Sequence, residues 1–439
     1  MQKGSRHRWF VVIVFFLFML LHQCDKLLIG PLTSQIMATF GINEAQMGAV
    51  VTGALIVGAV LYPVWGYLYD RYARSKLLAA AAFIWGSTTW LSALAPTYGL
   101  FVATRATTGI DDSSYPGLYS LIADYFGPEV RGKIYGLLQL AQPIGYMLGM
   151  LLGLLLSGAL GWRGIYYLTG SLGIVLSAII FFFVREAPRG KSEPELADLE
   201  QVGVYRFNWQ TARGLFSKRS LLLLFVQGFF GVFPWNTITY WFFRYLETER
   251  HYSSSAVFST MAVAVTVLSF GYLVGGAVGD FFFKRTPRGR ALVSMVAVLV
   301  GAILLAVTMS VPLENQMLFM ILLSITALFI PIASPNVVST VYDITLPEVR
   351  STAMAVQYFI ESAGAALAPL IAGLIAVRYS LHDAILWICV STWVLCFFFY
   401  AGVAYLVPKD IATLRGQLRE RAEHERELQA SAPSGQSAA

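Results

Sequence analysis

Of the 439 residues, 57% are hydrophobic and 13% are Asp, Glu, Lys or Arg, and the mean hydropathy of +0.64 excludes an ordinary soluble globular domain. The net charge of +6 does not signal a nucleic-acid surface, because the basic residues are spread through alternate connections rather than gathered in one patch. Cys24, Cys389 and Cys396 all lie in apolar runs without a CxxC or His/Cys cluster, which argues against a disulfide framework or a metal site.

The first apolar run begins after MQKGSRHR and continues past residue 30 without a small-residue cleavage site, so it reads as a retained span rather than a signal peptide. A membrane-crossing helix needs roughly 20 mainly apolar residues. Such runs fall at 9–36, 46–69, 77–96, 99–126, 134–157 and 163–184, and again at 220–246, 256–282, 291–312, 316–343, 352–377 and 383–407. The expected fold class is an all-α integral membrane protein with twelve transmembrane helices in two pseudo-symmetric six-helix bundles. Its segments are an N-terminus over 1–8, a bundle over 9–184, a linker over 185–219, a bundle over 220–408 and a tail over 409–439.

One set of connections holds Arg71, Arg74, Lys76, Arg131, Lys133, the linker, Lys284, Arg285, Arg288, Arg290 and Arg350, whereas the other holds only Arg163, Arg244, Arg250 and Arg378. The positive-inside rule then puts both termini in the cytoplasm of a protein of the cell membrane. Within the linker, FNWQTARGLF reads either as an interfacial segment or as solvated chain. Residues 409–430 read as a charged, solvated helix ahead of a disordered end.

The halves repeat. Gly66-Tyr-Leu-Tyr-Asp70-Arg71 recurs as Gly276-Ala-Val-Gly-Asp280, and Asp124 to Pro128-Glu-Val-Arg131 recurs as Asp343 to Pro347-Glu-Val-Arg350. Pro116 and Gly145 likewise match Pro335 and Gly364. A parallel six-helix repeat with ligand held between the halves near the midplane is an architecture for alternating access. Gly145, Gly149 and Gly153 in the fifth span and Gly271, Gly275 and Gly279 in the eighth each line one helix face. These two faces are expected to meet across the interface between the halves.

The segment Gly66 to Lys76 resembles the signature loop between helices 2 and 3 of major facilitator transporters, with Ala73 where the family usually has Gly. The resemblance implies a cytoplasmic gate of Gly66, Asp70, Arg71 and Arg74, joined by Arg131, Asp280 and Arg350, which locks the halves until rocking breaks it. Asp25-Lys26 and the stretch Arg105-Ala-Thr-Thr-Gly109-Ile-Asp-Asp112-Ser-Ser-Tyr115-Pro116-Gly117 are similar to the spinster-like and anion:cation symporter branches. Lys26 replaces an Arg and Asp112 a Glu, which keeps charge sign but changes reach. Pro-Arg-Gly-Arg at 287–290 leans toward the spinster-like branch, and Tyr115-Pro116-Gly117 toward the anion symporters.

Asp25, Lys26, Arg105, Asp111, Asp112 and Glu361 fall inside predicted spans, where an ionised side chain costs about 2.5 to 3.5 kcal/mol even on a lenient scale. Four carboxyls against two fixed cations leave negative charge that a proton can neutralise. Asp25, Asp112 and Glu361 are therefore the expected proton-coupling residues, an assignment that the resemblance also implies for Asp25 and Asp112. Lys26 and Arg105 are the expected donors to an anionic substrate, with Tyr115, Gln142, Asn236 and Gln357 lining the site. A static salt-bridge network is the competing account.

Gly127 to Lys133 matches the front of a phosphate-binding loop, but Ile134 stands where Ser or Thr should hold magnesium. With no HExxH or GxSxG, no enzyme is expected. No cofactor or metal is expected either, and the proton is the expected coupling ion. Two cargoes stay open, a small organic anion and an amphipathic lipid such as a lysophospholipid, alongside a non-transporting receptor or scaffold. The expected partners are the substrate and the bilayer, with no nucleic acid, and the chain is expected to be a monomer.

Overall fold

The computed structural model describes residues 2–42, 44–196 and 208–431, and helices make up nearly all of them. An apolar chain in hydrocarbon must satisfy its backbone polar groups internally, and helices do so within each segment. The first three crossings are α1 (Gln2–Phe40), α2 (Glu44–Arg71) and α3 (Arg74–Leu94). The fourth is broken into α4 (Tyr98–Thr107), α5 (Gly109–Asp112) and α6 (Tyr115–Tyr125). α7 (Pro128–Gln139) and the first part of α8 (Ala141–Phe183) make the fifth. Gly161, at φ 62° and ψ 171°, then breaks α8 and starts the sixth.

After the short linker helix α9 (Trp209–Gly214), the second half follows with α10 (Arg219–Thr248), α11 (Ser254–Phe283) and α12 (Gly289–Met309). Its fourth crossing is also broken, into α13 (Gln316–Phe329) and α14 (Ala333–Asp343), before α15 (Arg350–Arg378) and α16 (Leu381–Ser431). Among the described residues nine helical stretches are long and apolar enough to cross a bilayer by themselves. The second, fourth and fifth crossings, α2, α4 to α6, and α7 with early α8, complete the twelve.

The N-terminus, linker and tail gather at one end of the bundle, called here the linker end. His7 and Trp9 pack on Tyr125 and Phe126 there. α16 does not stop with its apolar part but runs on through Pro408 to Ser431. The expectation of a solvated tail helix is corrected: Leu414, Leu418 and Ala422 are buried against Leu196 of the linker. Sequence periodicity showed too few large apolar residues for a core, yet a single stripe is enough to dock on another element. In the linker, Trp209 and Phe216 stay exposed, with Trp209 stacked on Tyr67 at 5.6 Å, as an interfacial segment would place them.

The expected meeting of the two glycine faces is also corrected. Gly145, Gly149 and Gly153 lie against Leu20, Cys24 and Pro31 of α1, while Gly271, Gly275 and Gly279 lie against Leu328, Ile332 and Asn336. Both faces therefore pack within their own half. Fourfold spacing identifies a small-residue face without identifying the helix that fills it. The halves do touch along α7 and α11, through Gly132 and Gly136 against Gly276 and Tyr272.

Candidate functional site

The halves are tied together at the linker end by two copies of one device. Gly66 lets α2 approach α15 so closely that an added Cβ would crowd Ala355, Thr352 and Ser351. One turn later Asp70 accepts hydrogen bonds from the backbone N–H groups of Ser351 at 3.0 Å and Thr352 at 2.6 Å. In the other half Gly276 lies against the Gly132 backbone. Asp280 then accepts from the N–H groups of Gly132 at 3.1 Å and Lys133 at 2.8 Å. Asp70 thus meets the positive, donor-rich beginning of α15, and Asp280 meets the second turn of α7, each in the opposite half.

Buried arginines brace both copies. Arg74 pairs with Asp124 at 2.5 Å and Glu186 at 2.7 Å, and Arg290 pairs with Asp280 at 2.7 Å and with Asp343. Across the interface Arg350 faces Asp124 at 3.6 Å and Arg131 faces Asp343 at 3.5 Å. Glu193 from the linker sits between these last two arginines, 2.6 Å from Arg131 and 2.5 Å from Arg350, with Arg415 of the tail at 2.9 Å. Burial would raise the Glu193 carboxyl, but the charges of Arg131, Arg350 and Arg415 outweigh it and hold the group well below the usual carboxylate range.

Of the gate residues expected from sequence, Gly66, Asp70, Arg74, Arg131, Asp280 and Arg350 come together here. Arg71 does not, for it is exposed and its guanidinium bonds Tyr67. Glu193, Arg290, Asp343 and Arg189, which lies 3.7 Å from Asp70, were missed. The Arg290 position within PRGR and the Asp343 position within the repeat were visible as motifs, whereas nothing in KSEPE marks Glu193.

The second polar cluster lies inside the first bundle. Asp25, 1% exposed, receives Arg105 at 3.1 Å, Trp85 at 3.2 Å and Thr89 at 3.1 Å on Oδ2, and Thr169 at 2.8 Å on Oδ1. The Arg105 guanidinium also lies 5.0 Å over the Tyr166 ring. Donors from α3, α4 and α8 therefore converge on one carboxylate of α1. Beside them His22 and Asp111 form a second buried pair, with Nε2 to Oδ2 at 3.2 Å. His22 Nδ1 reaches the Tyr115 hydroxyl at 2.7 Å.

Lys26 is half-buried on α1, and the Asp112 backbone closes α5 while its side chain lies outside those described. Gln142 is half-buried on α8, and Asn236 bonds back to the Val232 carbonyl at 2.8 Å. In the second half Gln357 donates to Glu361 at 2.7 Å and to the Leu224 carbonyl at 3.3 Å. Tyr358, next to Gln357 in sequence, packs across the interface on Tyr62 with the rings tilted and their centroids 5.5 Å apart. Among the described residues no His, Cys, Asp and Glu group has the makings of a metal site. A cleft of about 1210 Å³ lies at the linker end between α9, early α10 and α16, away from these intramembrane charges.

The family model described as Major Facilitator Superfamily matches residues 11–369. Protein spinster of Drosophila melanogaster is 28% identical over 394 residues, covering 87% of this chain, which spans 64% of that protein's length. Among solved structures, the inward-facing, unoccupied form of a bacterial homolog to the human lysosomal transporter spinster superposes with a TM-score of 0.57 at 19% identity, over 93% of this chain and 98% of that one. The human organic anion transporter MFSD10 gives 0.67 at 18% identity, over 90% and 99%. At these identities the structural likeness is one of fold.

Proposed function

Since the chain belongs to the Major Facilitator Superfamily and is a transporter rather than an enzyme, we propose that it is a spinster-like, proton-coupled carrier of a small organic anion that works by alternating access. The observation that carries this reading is the reciprocal lock at the linker end. Its bonds join two rigid halves at one end, so breaking them as a set opens that end without unfolding either bundle. In this reading the linker end is cytoplasmic, the membrane is the cell membrane, and a single chain suffices.

Arg105 and Lys26 supply the positive charge that an anionic substrate needs. Asp25, Asp112 and Glu361 are the proton-linked carboxyls, and Tyr115, Gln142, Asn236 and Gln357 orient the substrate. Arg105 already holds Asp25 in the gate-closed form. Substrate anion and carboxylate therefore compete for one guanidinium, and protonating Asp25 frees it. Such competition links proton and anion binding without further machinery.

A second reading, movement of a lysophospholipid, is favoured by the aromatic run of α10. There Phe229, Phe230 and Phe233 pack together, and Trp235 and Tyr240 remain exposed. Uptake into proteoliposomes of a panel of small carboxylates and of lysophospholipids, with and without a pH gradient, separates the two. Carboxylate uptake is expected to rise several-fold with the gradient, and Asp112→Asn is expected to abolish that rise. Uptake of lysolipid alone would select the second reading, and uptake of neither would leave a receptor or scaffold.

A further inference from the structure

Two buried titratable groups have no task in that scheme. His22 on α1 is 2% exposed and Asp111 on α5 is fully buried, both within a membrane-spanning bundle. Their Nε2 to Oδ2 separation is 3.2 Å, and the Ser114 hydroxyl donates to the other Asp111 oxygen at 3.3 Å. The imidazole stands edge-on to Trp85 with ring centroids 5.5 Å apart. That same indole donates to Asp25, so one aromatic ring separates the pair from the Asp25–Arg105 cluster.

We propose that His22, Asp111 and Tyr115 form a further proton-binding site that takes part in the proton coupling of the transport cycle beside Asp25, Asp112 and Glu361. The proposal rests on the proton-coupled reading and adds a site to it. Asp25 and Arg105 neutralise each other, and His22 with Asp111 is neutral when the ring is uncharged and the carboxyl holds a proton. A second proton bonds to Nε2 of His22 and leaves an imidazolium beside a neutral acid; its loss restores the neutral pair. The site therefore changes by one charge per proton and never strands a lone carboxylate in hydrocarbon.

Tyr115 fits both states. With the proton on Asp111 facing Nε2, the neutral ring carries its own proton on Nδ1 and donates it to the phenol oxygen. When both ring nitrogens carry protons, Nδ1–H donates to the phenol oxygen. The 2.7 Å contact therefore survives loading.

The described charged and titratable neighbours come from several elements around the pair. α1 contributes Asp25 and Lys26, α4 Arg105, α6 Tyr115, α8 Tyr166, and α2 Tyr69, which interacts with Asp111.

Trp85 provides a built-in reporter, because an imidazolium quenches a neighbouring indole more strongly than a neutral imidazole does. Full-length protein in nanodiscs would be titrated from about pH 5 to about pH 9, and the Trp85 contribution taken by difference from Trp85→Phe. We expect that contribution to change with pH, to lose the change in His22→Gln, and to shift its midpoint by about one pH unit, a tenfold change in proton affinity, in Asp111→Asn. A Trp85 signal that is flat with pH, or one that persists in His22→Gln, overturns the site. Should His22→Gln fail to fold, Tyr115→Phe and Asp111→Asn decide, and an unmoved midpoint in both overturns it.

The coupling role is read in proteoliposomes. The ratio of uptake with and without a pH gradient is expected to fall to about one in Asp111→Asn, and retained stimulation overturns that role. Wild-type protein that transports no acid in any gradient overturns the organic-anion reading, while the substrate-free titration still decides the proton site.

Discussion

Asp25 shows what a single side chain costs and how it is kept. Its carboxylate and the Arg105 guanidinium are both almost wholly buried, a placement tolerated only because each compensates the other. Removing one partner, as in Arg105→Ala, leaves a buried charge and is expected to destabilise the bundle by about 3 to 5 kcal/mol. The neutral pair Asp25→Asn with Arg105→Gln should recover most of that loss. Thermal unfolding of the purified variants checks it, and simple additivity of the two single losses would show that the pair is not coupled. Sequence marked Asp25 and Arg105 as exceptional because charges are rare in spans. It did not reveal that they bond one another, since they lie on different helices that only the folded bundle brings together. Nothing in the sequence marks His22, which lies one turn before Lys26 on α1. Its real partner, Asp111, becomes visible once the break at Thr108 to Ser114 turns α5 toward α1.

At the scale of elements, the tail is the part that sequence patterning misread. A helix with three large aliphatic residues after Ile411 looks solvated, yet Leu414 and Leu418 are fully buried. Arg415 reaches Glu193 and Glu195, and Arg421 pairs with Glu348 at 2.8 Å. Docking of this kind predicts slow amide exchange across 409–427 in the intact protein. Leu414→Asp with Leu418→Asp should bring that segment to the rates of unprotected chain, as read by hydrogen exchange with mass spectrometry. A wild-type tail that already exchanges freely would contradict the docking.

The same contacts set a pH expectation. The Glu193 carboxyl lies below its unfolded value of about 4.3. Its contribution is therefore present above that value and is lost only as pH falls through the lower folded value. Between about pH 5 and about pH 8 the difference in stability between wild type and Glu193→Gln should not vary with pH. Thermal unfolding across that window measures it, and a difference that shrinks steadily toward pH 5 would show that Glu193 titrates there.

For the whole molecule, the duplicated letters Asp70 and Asp280 gave away the two halves and the place where they meet. Their partners could not be read, because a helix's backbone N–H groups carry no letter of their own. The glycine stripes illustrate the same limit, since a face free of side chains accepts any helix that the topology brings near. What the fold adds is reciprocity: each half presents a carboxylate to the other half's helix, so closing the linker end satisfies both at once. Charge-assisted hydrogen bonds of this kind contribute about 1.5 to 3 kcal/mol each. Losing one such bond should shift the balance between closed and open forms by roughly tenfold to a hundredfold. Spin labels at Tyr72 and Arg285, which flank the lock from opposite halves, are expected to report a short distance in the wild type. A longer population should grow in Asp70→Asn and again in Asp280→Asn. Combining the two substitutions should open the end in most molecules, since neither half then retains its hold on the other. Distance distributions unchanged in the double variant would mean that closure depends instead on the Glu193 contacts, and the alternating-access argument would have to start from the linker.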